Sequence, residues 1–209
     1  MSVICPTILA KDAHEFQTQM NRIKSFAKRI QIDLTDGVFA KTPTVALEQV
    51  WVPDAISADL HLMYKEPADY IDEALKLNPS MIIVHAEADG NFLKIAEKAH
   101  KQGVKVGVAL LPKTSTHRVK PSLPEIDHIL IFSGNLGEFG GIADLHLLDK
   151  IKQLKEWKES LEFGWDGGVN SSNAEQLVEG GVDVLNVGGY IQNSADPLNS
   201  FNELNTLIA

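Results

Sequence analysis

Three hydrophobic runs, far apart in the chain, each end in groups that can bind a cation or move a proton. They are Gln31-Ile32-Asp33-Leu34-Thr35-Asp36-Gly37, Asp59-Leu60-His61-Leu62-Met63 and Phe163-Gly164-Trp165-Asp166-Gly167-Gly168. Side chains of a strand alternate between faces, so Gln31 and Asp33 share one face, as do Asp59 and His61. On neighbouring strands of one barrel, Asp33, His61 and Asp166 converge at its open end. Two carboxylates and an imidazole around one point suit a divalent metal and paired proton transfer. A lone Asp at a strand end more often caps the following turn, and a lone His on a buried strand is more often a satisfied core group. It is the three together that point to a site. Asp59, two residues before His61, is the candidate to orient it.

Two further sets of residues extend this pattern. His85, in Val84-His85-Ala86-Glu87, holds the equivalent place on a fourth run and reads as a substrate contact or a support behind the ligands. The remaining histidines, His14, His100, His117, His128 and His146, fall in helices, loops or a strand start and read as surface or structural groups. Glycine pairs follow the last three strands: Gly140-Gly141, Gly167-Gly168 and Gly188-Gly189. One such pair means only a tight turn. Three on consecutive connections offer backbone N–H groups that an anion can approach closely, as a phosphate requires.

The elements that must position these groups alternate from end to end. Candidate strands are Val3–Leu9, Arg29–Leu34, Ile56–Leu62, Met81–His85, Val104–Leu110, His128–Phe132, Leu161–Trp165 and Val182–Val187. Between them, Phe92–His100 and Leu147–Trp157 carry apolar residues at helical spacing. Asp12 and Ser172 stand where N-caps are expected, and Gly103 and Gly181 where helices stop. Lys113–Glu125, with Pro121 and Pro124, reads as a short helix plus loop. Eight strands alternating with helices imply a parallel sheet, either doubly wound or closed. No G-x-G-x-x-G follows the first strand, and polar residues recur at strand C-terminal ends. Both favour an α/β fold of the closed (β/α)8 TIM barrel type, whose active sites lie at that end and whose phosphate-binding loops here would follow strands six to eight.

Composition sets outer bounds. At 209 residues the chain supports one full-sized core, so residues 1–209 are expected to form one domain. A net charge of −9 argues against nucleic-acid and anionic-membrane partners, which demand clustered Lys and Arg. The single cysteine, Cys5, rules out an intrachain disulfide and fits a reducing compartment. With no signal-like N-terminus and no apolar run of bilayer length, a cytoplasmic protein is expected.

With these residues placed, the chain resembles the ribulose-phosphate 3-epimerase family over essentially its whole length. The resemblance rests on Cys5-Pro6-Thr7-Ile8-Leu9-Ala10, Ile32-Asp33-Leu34-Thr35-Asp36-Gly37-Val38-Phe39, Asp59-Leu60-His61-Leu62-Met63 with Glu66-Pro67, and Val84-His85-Ala86-Glu87. Gly137-Glu138-Phe139-Gly140-Gly141, Trp165-Asp166-Gly167-Gly168-Val169-Asn170 and Gly188-Gly189 complete the series in order and spacing. The family binds a divalent metal through His, Asp, His and Asp, and its two Asp residues form the acid/base pair. By position these imply Asp33 and Asp166 as catalytic groups, and Asp33, His61 and Asp166 as metal ligands, with Gln31 in place of the first His. Thr7, His61, Met63, His85, Gly140, Gly141, Gly167, Gly168, Gly188 and Gly189 are implied to contact substrate. Other departures gather nearby: Thr7 for Ser, Thr35 for Met, Phe132-Ser133 in the region of another Met, and a strand-six loop with Glu138 added and Ile142 for Gln.

The resemblance implies a metal-assisted isomerase that epimerises a ketopentose phosphate, or a ketohexose phosphate, through an enediolate. Its cofactor would be zinc, iron, manganese or magnesium; an amide oxygen at Gln31 favours the harder cations over zinc. The changes at the site keep a second reading open, a family member that binds a sugar phosphate without epimerising it. A third, a lyase of the related decarboxylase and aldolase barrels, lacks the Asp-x-Lys-x-x-Asp those carry at strand three. A homo-oligomer fits the family, although no residue marks an interface.

Overall fold

The computed structural model describes residues 2–209. The strands are β1 (Val3–Ile8), β2 (Arg29–Thr35), β3 (Ser57–Met63), β4 (Met81–His85), β5 (Lys105–Leu110), β6 (His128–Phe132), β7 (Glu162–Asp166) and β8 (Val184–Val187). All eight pair in parallel in chain order into a closed barrel, with β8 paired to β1 through Val3↔Val184 and Cys5↔Asn186. The helices are α1 (Ala13–Ile23), α2 (Ile71–Leu75), α3 (Phe92–His100), α4 (Leu148–Trp157), α5 (Ala174–Glu179), α6 (Gly189–Gln192) and α7 (Pro197–Leu207). The (β/α)8 expectation is therefore met.

Local chemistry sets the boundaries. Asp12 caps α1 by accepting from Glu15 N, and α1 buries Phe16, Met20 and Ile23. Asn91 caps α3, which buries Ile95, Ala96 and Ala99. Ser172 does not cap α5: Asn173 stands at the N-cap, and Ser172 is drawn into a turn around Asn170 Oδ1, which accepts from both its N and its Oγ. An Asx turn outcompetes the cap there. Lys113–Glu125 holds two 3-10 helices, Thr116–Arg118 and Lys120–Glu125, because the prolines deny it α-helical hydrogen bonds.

Alternation divides the strands into two faces. Ile30, Ile32 and Leu34 of β2 and Leu60 and Leu62 of β3 join the large apolar layer under the helices. The opposite parity fills the barrel, with Met81, Ile83, Ala109 and Leu130 forming an apolar middle. Below it lies an ionic floor. Arg29 Nε donates to Asp59 at 2.6 Å, and its terminal nitrogens donate to both Glu162 oxygens at 2.8 Å. Glu162 also meets His128 Nδ1 at 2.8 Å, and Ser80 donates to Asp59 at 2.7 Å. Asp59 is thus committed to Arg29 and does not orient His61; a residue two earlier on a strand sits one layer lower in the barrel. Removing one partner strands the others. Arg29→Met is expected to lower stability by about 2–4 kcal/mol in urea titration. A loss under about 0.5 kcal/mol would show that solvent screens the cluster.

Candidate active site at the C-terminal end of the barrel

Strand register delivers the site. Asp33 pairs with His61, Thr7 with Gln31, Phe132 with Asp166, and Asp166 with Asn186. These side chains share the interior parity and meet at the upper end of the barrel. Asp33, His61 and Asp166 each place one ligand atom within 4.8 Å of the others. His61 Nδ1 lies 2.8 Å from Asp33 Oδ1 and 3.9 Å from Asp166 Oδ2. Between the carboxylates sits the Gln31 amide, whose Nε2 donates to Asp33 Oδ1 at 2.8 Å and to Asp166 Oδ2 at 2.5 Å.

The electrostatics follow from this crowding. Burial, together with the Asp33 carboxylate beside it, raises Asp166 from the usual carboxylate range to about 7. His85 meets His61 through their Nε2 atoms, 2.9 Å apart, and is pushed down to about 4 by burial, so it is neutral at neutral pH. Burial would raise Glu87, but its contacts with His85 and Thr114 outweigh that and hold it below its ordinary value.

The donor set fits a divalent cation. Two carboxylate oxygens and an imidazole nitrogen converge, and Gln31 Oε1 is buried with no hydrogen-bond partner among the described residues. Turning the carboxamide end for end would present this unpartnered oxygen in place of Nε2, giving a fourth, neutral ligand. As placed, the amide N–H groups supply part of the positive character that two adjacent carboxylates need.

Above the carboxylates lies a narrow cavity of about 50 Å³. Its lining includes Thr7, Asp33, Met63, Phe139, Gly140, Asp166, Gly167, Gly168, Asn186, Gly188 and Gly189. His61 and His85 are buried and do not line it, and Gly141 packs on Gly134. Thr7 is held by Gln192, which donates to its carbonyl at 3.1 Å. Phe139 covers one wall: a Cβ on Gly188 would fall 2.5 Å from its ring. Gly167 is constrained twice over, by a φ of 110° and by Gly134 N only 2.1 Å from where its Cβ would lie. Gly167→Ala should separate the loops after β6 and β7 and cost at least about 2 kcal/mol, seen as a lower Tm. An unchanged Tm would mean that the loops are not locked together.

Asn186 was not among the expected site residues. It is buried beside Asp166, and its Oδ1 has no partner among the described residues. The signal was a single amide inside the apolar run Val184-Leu185-Asn186-Val187, on the interior parity.

The profile of the Ribulose-phosphate 3 epimerase family matches residues 3–192. The chain belongs to the ribulose-phosphate 3-epimerase family. Ribulose-phosphate 3-epimerase of Bacillus subtilis (strain 168) is 32% identical over 217 residues, covering 98% of each chain. That of Helicobacter pylori (strain J99 / ATCC 700824) is 30% identical over 201 residues, covering 92% of each. The crystal structure of 3-hexulose-6-phosphate synthase superposes with a TM-score of 0.77 at 18% identity, covering 99% of this chain and 100% of that one. At that identity the likeness is one of fold. In this member of the family the amide of Gln31 lies between the two carboxylates. Among the described residues no helix is long and apolar enough to cross a membrane.

Proposed function

We propose that the protein is a ribulose-phosphate 3-epimerase-like isomerase that inverts the carbon beside the carbonyl of a ketopentose phosphate. A ketohexose phosphate is the alternative substrate. The observation that carries this reading is the pair Asp33 and Asp166, set against one cavity and bridged by one amide. Epimerisation removes the C3 proton from one face and returns a proton to the other. One carboxylate must therefore start ionised and its partner protonated. In the metal-free site burial and the Asp33 carboxylate beside it raise Asp166 to about 7, which suits Asp166 to carry a proton. A divalent cation held by Asp33, His61, Asp166 and Gln31 would stabilise the negative charge that develops on the substrate's oxygens.

Around this pair the chain does the rest. Gly167, Gly168, Gly188 and Gly189 line the cavity and offer close backbone approach for the phosphate, and Gly140 and Gly141 belong to the covering loop. Thr7 and Asn186 carry buried oxygens with no partner among the described residues, which can accept from sugar hydroxyls, while Met63 and Phe132 give the cavity an apolar wall. Cys5, buried and free, fits the cytoplasm.

Metal analysis of the purified protein and a coupled assay with D-ribulose 5-phosphate test the proposal. Turnover abolished by chelation and restored by a divalent metal supports it. Absence of turnover with every metal, alongside measurable binding of the sugar phosphate, would favour the second reading, a member that binds without epimerising. Glu138 favours that reading, since it adds negative charge to the cavity lining.

A further inference from the structure

The glycine turns after β7 and β8 are each knitted into a unit. After β7, the Gly168 carbonyl accepts from Asn170 Nδ2 and from Asn173 Nδ2, both at 2.9 Å, and Asn173 Oδ1 accepts from Asn170 N at 3.0 Å. After β8, the Gly188 carbonyl accepts from Gln192 N at 2.9 Å and the Gly189 carbonyl from Asn193 N at 3.0 Å. A trans peptide points its carbonyl and its N–H in opposite directions. Holding the Gly168 and Gly189 carbonyls from one side therefore turns the N–H groups of Val169 and Tyr190 the other way. Both residues line the cavity, and neither N–H has a hydrogen-bond partner among the described residues.

One side chain joins the two units. Tyr190 Oη lies 3.0 Å from Ser171 Oγ and 2.8 Å from Glu203 Oε2 on α7. A phenol has a single proton and a carboxylate only accepts, so the Tyr190 proton goes to Glu203 and the Ser171 hydroxyl donates to Oη. Among the described residues this is the only hydrogen bond between residues 167–173 and 188–193. The strand pairing of β7 with β8 ends below it, at Asp166↔Asn186. The strands therefore fix the bases of the two turns, and the bond from Ser171 to Tyr190 ties them together above. Glu203 is itself held in place, because its neighbour Leu204 is fully buried.

We propose that Tyr190 is a positioning residue: its hydroxyl sets the gap between the Gly167-Gly168 turn and the Gly188-Gly189 turn, and with it the fit of a phosphate held between them. This rests on the phosphate reading given under the proposed function. The hydroxyl is engaged by Ser171 and Glu203 and takes no part in proton transfer at Asp33 and Asp166. Its loss should weaken binding and leave the chemical step alone. Tyr190→Phe and Ser171→Ala remove the same bond from opposite ends, so their effects should not add.

The test is a titration with inorganic phosphate alone, read by amide chemical shifts, for wild type, Tyr190→Phe, Ser171→Ala, the double variant and Glu203→Gln. Each of the first two variants should bind phosphate about three- to tenfold more weakly, the range for one net hydrogen bond, and the double variant no more weakly than the weaker single. Glu203→Gln keeps an oxygen that accepts from the phenol and should stay within about twofold of wild type. With D-ribulose 5-phosphate, Tyr190→Phe should raise KM by the same factor and leave kcat within about twofold. Wild-type phosphate affinity in Tyr190→Phe or in Ser171→Ala overturns the role of Tyr190 and leaves the phosphate reading standing. Fully additive losses in the double variant, or a fall in kcat at unchanged KM, also overturn that role. If wild type binds no phosphate at the two turns, the phosphate reading fails and the proposal falls with it. The titration decides even where no turnover is found.

Discussion

Under the proposed function, replacing Asp33 or Asp166 by Asn is expected to lower turnover of D-ribulose 5-phosphate by about 10²- to 10⁴-fold, the range for losing a positioned acid or base. Both side chains are held at strand ends by register rather than by their charge, so the Asn variants should fold, with far-UV circular dichroism like wild type. Solvent deuterium separates the two roles, because a variant lacking one face exchanges label into only one epimer. Full activity in either variant would refute the assignment. The same substitutions expose the electrostatics. In metal-free protein, Asp33→Asn removes the neighbouring charge that helps raise Asp166, so the Asp166 carboxyl should titrate lower than about 7 by ¹³C NMR, while burial keeps it above 3.8. The stability linkage has a definite sign. A carboxyl raised in the folded state holds a proton that the unfolded chain gives up. Its contribution is complete below pH 3.8 and is lost as pH rises through about 7. Asp33→Asn should flatten that decline.

Replacing Gln31 by His is expected to raise zinc affinity at least about tenfold, since imidazole is a better zinc ligand than an amide oxygen. The change also removes the N–H groups that now bridge Asp33 and Asp166 and eliminates the buried unpartnered Oε1. The metal-free form of the variant should consequently be less stable than wild-type apoprotein, and zinc should restore it by mass action. Titration calorimetry with zinc, and thermal melts with and without chelator, read both effects. Equal zinc affinity in the two proteins would show that the amide serves as well as imidazole.

Much of this arrangement is written in the sequence because one periodicity carries it. Alternating faces place Asp33, His61 and Asp166 on the interior, and short connections force parallel strands to close in order. What the chain does not declare is height along the barrel axis. Asp59 and His61 share a face, yet one layer separates them, and only the register shows Asp59 belonging with Arg29. Neighbours across strands are equally hidden. Nothing local to Asn186 announces that it stands beside Asp166, and nothing in the turn at Ser172 announces that Asn170 will claim its hydrogen bonds. The Gln31 amide is visible as a substitution, but its place between two carboxylates depends on β7, more than a hundred residues later in the chain.

The seam between β1 and β8 also bears on how the protein is made. Val3 leaves the ribosome well before its partner Val184, which lies far downstream in the chain. Until then β1 has β2 on one side and an open row of backbone donors and acceptors on the other. An unpaired edge of this kind invites pairing with other nascent chains. Joining segments so distant is entropically costly and slow. β8 thus acts as the clasp of the barrel. Ribosome pausing just before codon 184 should prolong exposure of the β1 edge and raise the demand for chaperones, whereas a pause after α7 should not.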